Sequence, residues 1–529
     1  MTHEDFCQDK SFDDLLHSSP QNILILETWN LTPHLETSLE IAIRLAQSGH
    51  NISYLHIGDN LPNAELQSSR GSGFCQYILG YYRSPQARAC RFLRDYAKRK
   101  SLSISVLKCP RLRPFRRYKF SRKSLYSLNT LKPLEWRNSN QFGISIASTL
   151  ASNIRDSSIY PLNHRRLVRQ IADAYQRSFL IAQQVLAAGS YSSVVVFNGR
   201  MSSSKGIVAA CSGSAVEVYF HERGSTANKF LLNNYQTHNF SALQRSMINR
   251  WNKSEHLSSS LSVATDFFKK QASGVDTFWI NPRLRNSPSS TLTLASKAKD
   301  SSLTGNVVVF YTSCDDEFVS ISDASTKDAF EWCDQLTALK ALVNSSLSCG
   351  HSIIIRNHPA LATKSAEMRN RWDSIAEELP DSLSNRFFLV TSTTPICSYE
   401  LLFACDLVVT YGSTIGIEAV YWGKPSITLS DTYYDSLGLG VYKPRSVDEL
   451  LGLLNNLQGL QVDPSVALPF GYYAMTSGVD FKYFRPSGFF SGSFLDLNFS
   501  HYELTPFHSL LARAKKLLRA IFSATLFSK

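Results

Sequence analysis

The chain lacks the features of a secreted, disulfide-bonded or membrane-spanning protein. Its ten cysteines include no C-x-x-C pair, so their spacing favours neither a zinc site nor a disulfide framework and is typical of reduced thiols. No apolar run is long enough to span a bilayer, and residues 1–20 are polar and acidic, unlike a secretory signal or a transit peptide. The sequence therefore predicts a cytoplasmic protein.

Negative charge is also scarce, since 43 Asp and Glu face 55 Lys and Arg for a net charge of +12. Such an excess favours anionic partners. It is densest in residues 83–123, where Asp95 alone opposes many Arg and Lys side chains and aromatic residues are interleaved. No RNA- or DNA-binding signature surrounds them, so we expect no nucleic-acid partner. A solvated face is one interpretation, and we favour the other, a patch that meets an anionic lipid or polymer.

The length of 529 residues is too great for one core and suggests about two to four domains. Short apolar runs alternate with segments of helical periodicity, which is typical of an α/β fold with parallel sheets. A stretch rich in Ser, Thr and Lys has the composition of a linker. We expect a polar tail at 1–20, a first domain at 21–283, the linker at 284–304, a second domain at 305–463, and a crossover segment with a basic amphipathic tail at 464–529.

Two charged segments in the first half lie where open α/β sheets place their ligands, at the carboxyl ends of strands. His34 begins a helix after the strand 22–27, although a lone histidine is more often structural. The triplet His221-Glu222-Arg223 follows the strand 215–220. It could serve proton transfer or acceptor binding, or it could be an ion pair at the rim of a site.

A third loop, Asn198 to Gly206, has some likeness to a phosphate-binding loop of ATPases. Ser204 stands where the second glycine belongs, and Gly206 stands where Ser or Thr should bind magnesium. The sequence therefore argues against an ATPase.

The most informative stretch is residues 406–429, a strand-helix-strand pattern with a turn at Gly412 and Ser413. Gly412 allows a sharp bend, and Ser413 could cap a helix whose free N–H groups favour a phosphate. Glu418 lies on a helix face that could look back toward this turn. Arg356 and His358 leave the same sheet edge, so an arginine fork and a helix end could face one bound phosphate.

Two further segments are ambiguous. Asp315-Asp316-Glu317 could bind a divalent metal, but a solvated loop is the commoner reading of such a cluster, and we expect no metal site. Apolar residues at helical spacing with cationic flanks predict an amphipathic helix at 507–521. It could pack on the protein or dock on a membrane surface, which would make the protein peripheral at the inner face of the cell membrane.

The chain resembles GT-B glycosyltransferases, and especially those of bacterial capsular and surface polysaccharide synthesis, a group that includes Kdo transferases. The likeness is strongest from about residue 305 to 455 and is weaker in the first domain. It is carried by two motifs, Arg356-x-His358-Pro359 and Gly412-Ser413-Thr414-x-x-x-Glu418-Ala419-x-x-x-Gly423-Lys424-Pro425.

This resemblance implies two Rossmann-like domains that face each other across a cleft, with a C-terminal amphipathic helix. It implies a nucleotide-sugar donor as co-substrate, no required cofactor, and a saccharide or lipid-linked acceptor. The implied donor-binding residues are Arg356, His358, Gly412, Ser413, Thr414, Glu418 and Lys424. The implied acceptor-binding residues are His221 and Arg223.

The catalytic residues depend on stereochemistry. If the reaction inverts the anomeric centre, a base must take the acceptor's proton, and Glu222, His34 and Glu36 are the candidates in that order. If the reaction retains configuration, no such base is needed.

Two alternatives remain open. Non-hydrolysing UDP-sugar 2-epimerases share the two-domain plan, but they usually carry consecutive glutamates where this chain has Glu418 followed by Ala419. The second alternative is a non-catalytic protein that binds a membrane through its tail and basic segment.

Overall fold

The computed structural model describes residues 9–62, 65, 82–156, 159–254, 257–273, 288–313, 330–363, 369–370, 372, 374, 385–488, 490–499 and 503–504. They form two compact units. The first holds the described residues of 1–153, 160–237 and 478–529, and the second holds those of 154–159 and 238–477.

The strands and helices follow one another along the chain in an α/β pattern. The strands are β1 (Asn22–Glu27), β2 (Asn51–His56), β3 (Tyr82–Arg83), β4 (Ile104–Val106), β5 (Ser193–Phe197), β6 (Glu217–Arg223), β7 (Lys229–Asn233), β8 (Val307–Tyr311), β9 (Ser352–Arg356), β10 (Phe387–Val390), β11 (Leu407–Thr410), β12 (Ser426–Thr428), β13 (Val441–Tyr442), β14 (Val479–Asp480), β15 (Phe484–Gly488), β16 (Ser491–Phe494) and β17 (Glu503–Leu504). The helices are α1 (Phe12–Leu16), α2 (His34–Gln47), α3 (Pro85–Lys100), α4 (Leu128–Leu131), α5 (Gln141–Ile154), α6 (Arg165–Ala188), α7 (Ser202–Cys211), α8 (Phe240–Asn252), α9 (Leu257–Ser273), α10 (Pro288–Ser301), α11 (Gln335–Ser348), α12 (Ser398–Ala404), α13 (Ile415–Tyr421), α14 (Val447–Asn455) and α15 (Leu468–Thr476).

The first unit is built on a seven-stranded sheet in the order β14-β7-β6-β5-β1-β2-β4. Strands β4, β2, β1, β5 and β6 are parallel, and β7 and β14 add antiparallel pairs at one edge. Ile23 and Ile25 of β1 pack into one hydrophobic cluster, and Leu24 and Leu26 pack into another. Because both faces of the sheet are covered, the central strand reads as one continuous apolar run.

The second unit is built on six parallel strands in the order β10-β9-β8-β11-β12-β13. In chain order within the unit this is 3-2-1-4-5-6, the order of the dinucleotide-binding Rossmann fold. Val308 and Phe310 of β8 face one cluster, and Val307 and Val309 face the other. The predicted α/β class with two Rossmann-like domains is therefore confirmed.

The expected division between the domains differs from the structure in two places. Helices α8 and α9, expected in the first domain, belong to the second unit, where Phe268 stacks on Tyr421 with ring centroids 4.0 Å apart. The expected linker contains α10, whose buried Ala295 and Ala298 pack it onto the second sheet's core. A narrow stripe of small apolar residues is enough for this packing, and it is hidden in a composition rich in Ser and Lys.

The chain returns to the first unit at Gly478. Strand β14 pairs with β7, and the buried Glu40 carboxylate accepts hydrogen bonds from the backbone N–H groups of Lys482, Tyr483 and Phe484 at 2.7, 2.9 and 3.3 Å. Residues 464–476, expected in the crossover segment, still pack in the second unit. The predicted amphipathic helix at 507–521 lies outside the described residues.

Among the residues that the structure describes, no helix combines the length and apolar character that a membrane crossing requires.

Candidate functional site

The turn that joins β11 to α13 in the second unit is tightly fixed. Gly412 has a φ of 81°, in the left-handed region that favours glycine. The Ser413 carbonyl accepts a hydrogen bond from the Tyr434 hydroxyl at 2.5 Å. The predicted Ser413 cap is wrong: Thr414 occupies the N-cap position, no side chain caps the helix, and α13 has only seven residues. The turn can therefore offer backbone and hydroxyl groups, but only a small helix dipole.

Glu418 is held by two hydroxyl groups. Thr414 Oγ1 donates to Glu418 Oε1 at 3.0 Å, and the Tyr399 hydroxyl donates to Glu418 Oε2. Burial raises the pKa of Glu418, and these two hydrogen bonds oppose the shift. A carboxylate has about four lone-pair sites, so this side chain is oriented and still able to accept hydrogen bonds from a ligand's hydroxyls. Tyr399, which the sequence reading missed, is thus part of the site.

Arg356 is fully buried and donates to three backbone carbonyls. Its Nη1 lies 3.1 Å from Asn357 O and 3.0 Å from Thr391 O, and its Nη2 lies 3.2 Å from Ile396 O. The predicted open arginine fork is therefore corrected: this guanidinium anchors the loop that follows β10. Tyr311 at the end of β8 is in register with Arg356 at the end of β9 and with Thr410 at the end of β11, the strand that leads to Glu418. Both predicted residues thus lie at one strand edge.

His358 follows β9 and lies beside the end of β8, next to the point between β8 and β11 where the strand order of the second sheet reverses. Its backbone N–H donates to Thr312 Oγ1 at 2.7 Å, which ties it to the end of β8. Its Nδ1 is 3.1 Å from the N–H of Ala360, so Nδ1 accepts and the neutral ring carries its proton on Nε2. Ligands of such sheets bind at this reversal point.

Lys424 is at the opposite edge of the same sheet. Its Nζ donates to the carbonyl of Cys405 at 2.7 Å, just before β11 begins. A helix that connects two parallel strands returns the chain to their amino ends, so Lys424 cannot reach a ligand held at the Gly412 turn. The prediction that Lys424 binds the donor is wrong for this reason.

A buried carboxylate–histidine contact ties strands together in the first unit. Glu27 Oε2 lies 3.0 Å from His221 Nε2, and Glu27 Oε1 accepts from the N–H groups of Thr28 and Trp29, each at 2.7 Å. Both Glu27 and His221 are fully buried. His221 was predicted to bind the acceptor, and the structure corrects this: its ring is inside the fold and holds the end of β1 to the end of β6.

Glu222, the next residue, keeps a partly open carboxylate with 19% of its side chain exposed. Asn198 Nδ2 donates to Glu222 Oε2 at 2.5 Å, and the N–H of Arg223 donates to Oε1 at 2.9 Å. Asn198 is itself fixed, because its Oδ1 accepts from the N–H of Arg200 at 3.1 Å. Asn198, which the sequence reading did not assign, has a φ of 54°, and an Asn-Gly pair after a strand was the available signal.

The other two predicted base candidates are less accessible. His34 Nδ1 is 3.9 Å from Glu222 Oε1, too far for a hydrogen bond. The His34 ring packs 4.1 Å from the Phe197 ring, and burial, followed by the charges of Arg223 and His221, lowers its pKa well below the usual value. Glu36 is buried and accepts from the Thr32 hydroxyl at 2.8 Å. Arg223 stays beside Glu222, where burial lowers its pKa to about 10.

Glu36 makes the stability of the protein depend on pH. Burial is the main cause that raises its pKa from 4.5 to about 7. The folded chain then keeps a proton that the unfolded chain releases, so the stabilisation is complete below pH 4.5 and is lost as the pH rises through 7. Over this pH interval the free energy of unfolding of the wild-type protein should fall by about 3 kcal/mol. We expect Glu36→Gln, whose side chain cannot ionise, not to show this fall. Urea denaturation of both proteins at about pH 5 and about pH 8 measures the difference, and parallel pH profiles would contradict the assignment.

A carboxylate also occupies the start of α7, where the first sheet reverses its strand order. Glu65 accepts from the Ser203 N–H at 2.6 Å, from the Ser203 hydroxyl at 2.5 Å and from Trp29 Nε1 at 2.8 Å. In a nucleotide-binding sheet this helix end holds a phosphate. The chain fills the position with its own side chain, which agrees with the expectation that the 198–206 loop is not an ATPase loop.

The acidic segment at 315–317, where we expected no metal site, lies outside the described residues. Within the part of the chain that the structure describes, no group of three or more His, Cys, Asp or Glu side chains could hold a metal ion.

Residues 326–446 match a family model described as capsule polysaccharide biosynthesis protein. The matched segment contains Arg356, His358, the Gly412 turn and Glu418. It confirms the resemblance to capsule biosynthesis proteins over this part of the second unit. A search of the curated proteins finds no match.

Several solved structures are similar in part. The KpsC beta Kdo 2,7 transferase of Thermosulfurimonas dismutans is 14% identical over 55% of this chain and 88% of its own, with a TM-score of 0.30. The sucrose-phosphate synthase of Thermosynechococcus elongatus is 9% identical over 86% and 93%, with a TM-score of 0.28. The UDP-GlcNAc 2-epimerase of Neisseria meningitidis, bound to UDP-GlcNAc, is 10% identical over 85% and 97%, with a TM-score of 0.27. Because these TM-scores are low, the fold rests on the strand orders given above.

Proposed function

We propose that this protein is a glycosyltransferase of surface or capsular polysaccharide synthesis. The second unit binds a nucleotide-sugar donor, and the first binds a saccharide or lipid-linked acceptor. One observation carries the proposal: the segment that matches the capsule biosynthesis family, 326–446, holds His358, Gly412 and Glu418 at the ligand edge of a sheet with the strand order 3-2-1-4-5-6.

The donor would be held by complementary hydrogen bonds. The Glu418 carboxylate, oriented by Thr414 and Tyr399, accepts from the ribose hydroxyls of the nucleotide. The backbone of the Gly412 turn and the Nε2–H group of His358 donate to its phosphates. Arg356 positions the loop at 391–396 and supplies a buried positive charge behind it.

Catalysis would depend on stabilising the negative charge that develops on the leaving group. Cleavage of the bond between the sugar and the nucleotide leaves negative charge on the departing phosphate, and preoriented donors at the sheet edge stabilise that charge. No metal or cofactor takes part in this proposal. In an inverting reaction Glu222 would accept the proton of the acceptor hydroxyl, since it is the accessible carboxylate among the three candidates.

The donor half is tested by nucleotide-sugar binding. We expect thermal stabilisation by one class among UDP-, GDP-, CMP- and dTDP-sugars. Glu418→Ala should weaken that binding by about tenfold or more, because hydrogen bonds to a charged acceptor contribute about 1.5–3 kcal/mol. Tyr399→Phe, which removes one donor to the carboxylate, should have a smaller effect. Calorimetric titration measures each dissociation constant.

The matched control for this experiment is Lys424→Ala. Lys424 lies six residues beyond Glu418 but at the opposite sheet edge, so its removal should leave the affinity unchanged. Unchanged affinity in Glu418→Ala would remove the donor-site assignment. Conversion of a UDP-sugar to its 2-epimer without any acceptor would replace the transferase by the epimerase alternative.

A further inference from the structure

A cavity of about 1010 Å³ lies in the first unit against the start of α6. This volume is at the upper end of the roughly 300–1,000 Å³ that is usual for ligand sites. The loop at 115–120 contributes the aromatic residues Phe115, Tyr118 and Phe120. The cationic side chains that line it are Arg116, Arg117, Lys119, Arg165, Arg166 and Arg169.

The first turn of α6 places positive charge where it is unfavourable. This helix is 24 residues long, its first turn contains no acidic residue, and its N-cap residue, His164, makes no side-chain cap hydrogen bond. Arg165 and Arg166 begin the helix and Arg169 follows one turn later. The amino end of a helix carries a partial positive charge, so cations there are destabilising unless an anion is near.

The one carboxylate in the cavity wall does not neutralise this charge. Asp173 is bound to Arg177 Nε at 3.0 Å and to Arg117 Nε at 3.3 Å. Among the described residues, Arg165, Arg166 and Arg169 have no carboxylate within ion-pair distance. The cavity therefore has a net positive charge that its own wall leaves uncompensated.

A buried donor in the same wall points to a ligand independently. Gln176 is 0% exposed and lines the cavity. Its Oε1 accepts from the N–H of Tyr118 at 3.2 Å, which fixes the orientation of the amide. Its Nε2 has no hydrogen-bond partner among the described residues. A buried donor without a partner costs about 1–3 kcal/mol, and an acceptor oxygen on a ligand would remove that cost.

We propose that this cavity binds the carboxylate or phosphate groups of an acidic saccharide chain. Apart from the paired Asp173, its charged and amide groups are donors suited to anionic oxygens. Its aromatic side chains offer the flat apolar faces on which sugar rings pack. Because the free amide of Gln176 is buried in a cavity wall, a single anionic chain reaches it better than a flat lipid surface does. That the saccharide is the acceptor of transfer rests on the proposed function.

The test uses trigalacturonate, with neutral maltotriose for comparison, titrated calorimetrically into the full-length chain without nucleotide. We expect wild type to bind the acidic trisaccharide and not the neutral one. The double variant Arg166→Gln/Arg169→Gln should lose about tenfold or more in affinity. The double variant Arg91→Gln/Lys98→Gln removes the same net charge from exposed positions on α3, outside the cavity, and should keep the wild-type affinity.

A second variant, Gln176→Glu, keeps the acceptor for Tyr118 but places a negative charge in the cavity, so trigalacturonate binding should be lost while thermal denaturation shows a folded chain. Equal loss in both double variants, or unchanged binding in the cavity variant, would overturn the proposal. A third result would also overturn it: the protein does not bind trigalacturonate but sediments with phosphatidylglycerol vesicles, and the Arg166→Gln/Arg169→Gln variant does not sediment. The site would then be a lipid contact. Since no nucleotide is present, failure of this test is distinct from failure of the donor site.

Discussion

Replacing Glu222 by glutamine is expected to lower the rate of sugar transfer by about 10²- to 10⁴-fold. The amide has the same shape and can still accept from the Arg223 N–H, but it cannot take a proton from the acceptor hydroxyl. Donor binding, which belongs to the second unit, should be unchanged. Steady-state kinetics give the rate, and calorimetry with the nucleotide sugar gives the dissociation constant.

The matched control is Glu217→Gln, the same substitution at the other end of β6. Glu217 pairs with Lys10 at 3.0 Å, away from the Glu222 carboxylate, so its transfer rate should match that of wild type. A Glu222→Gln protein that retains full activity would show that Glu222 is not the base. Determining the anomeric configuration of the product by NMR then decides whether the reaction retains configuration, which needs no such base.

Replacing Glu27 by alanine is expected to destabilise the first unit by about 3 kcal/mol or more, because each buried polar group left without its partner costs about 1–3 kcal/mol. The loss leaves His221 and the N–H groups of Thr28 and Trp29 buried without their acceptor. Hydrogen exchange of the amides in the first sheet measures the change without interference from the second unit.

Glu27→Gln provides the comparison, because its amide oxygen can still accept from the two backbone groups while the charge is lost. Its effect should be clearly smaller than that of alanine. If Glu27→Ala lowers the free energy of opening by less than about 1 kcal/mol, water has replaced the carboxylate and the contact between Glu27 and His221 does not hold the strands together.

The sheets were predictable from sequence because of their burial. Strands such as β8 and β9 are covered on both faces, so they appear as short apolar runs bounded by turns. The position of Lys424 was also predictable, since a helix between parallel strands ends at their amino edge, although the motif alone suggested otherwise. Glu222 and Glu418 were singled out because each lies at or just beyond the carboxyl end of a strand, on the edge where such sheets bind ligands.

Other features depend on contacts between distant residues that leave no local pattern. Arg356 binds carbonyls 35 and 40 residues further along the chain, and Glu65 binds a serine 138 residues away. Helices α8 and α9 belong to the second unit because Phe268 meets Tyr421 there. Spacing and composition report which face of an element is apolar, but not which neighbour covers it.

The carboxylate of Glu65 at the start of α7 should also make the first sheet bind nucleotide more weakly than the second. A free phosphate that enters the first sheet must displace a ligand tethered to the same chain, whose effective concentration is on the order of millimolar or higher. The carboxylate beside the Gly412 turn, Glu418, accepts from the hydroxyls of Thr414 and Tyr399 and not, among the described residues, from a backbone N–H group of the turn. Saturation with nucleotide sugar should therefore approach a stoichiometry of one per chain, although the fold repeats the nucleotide-binding topology twice.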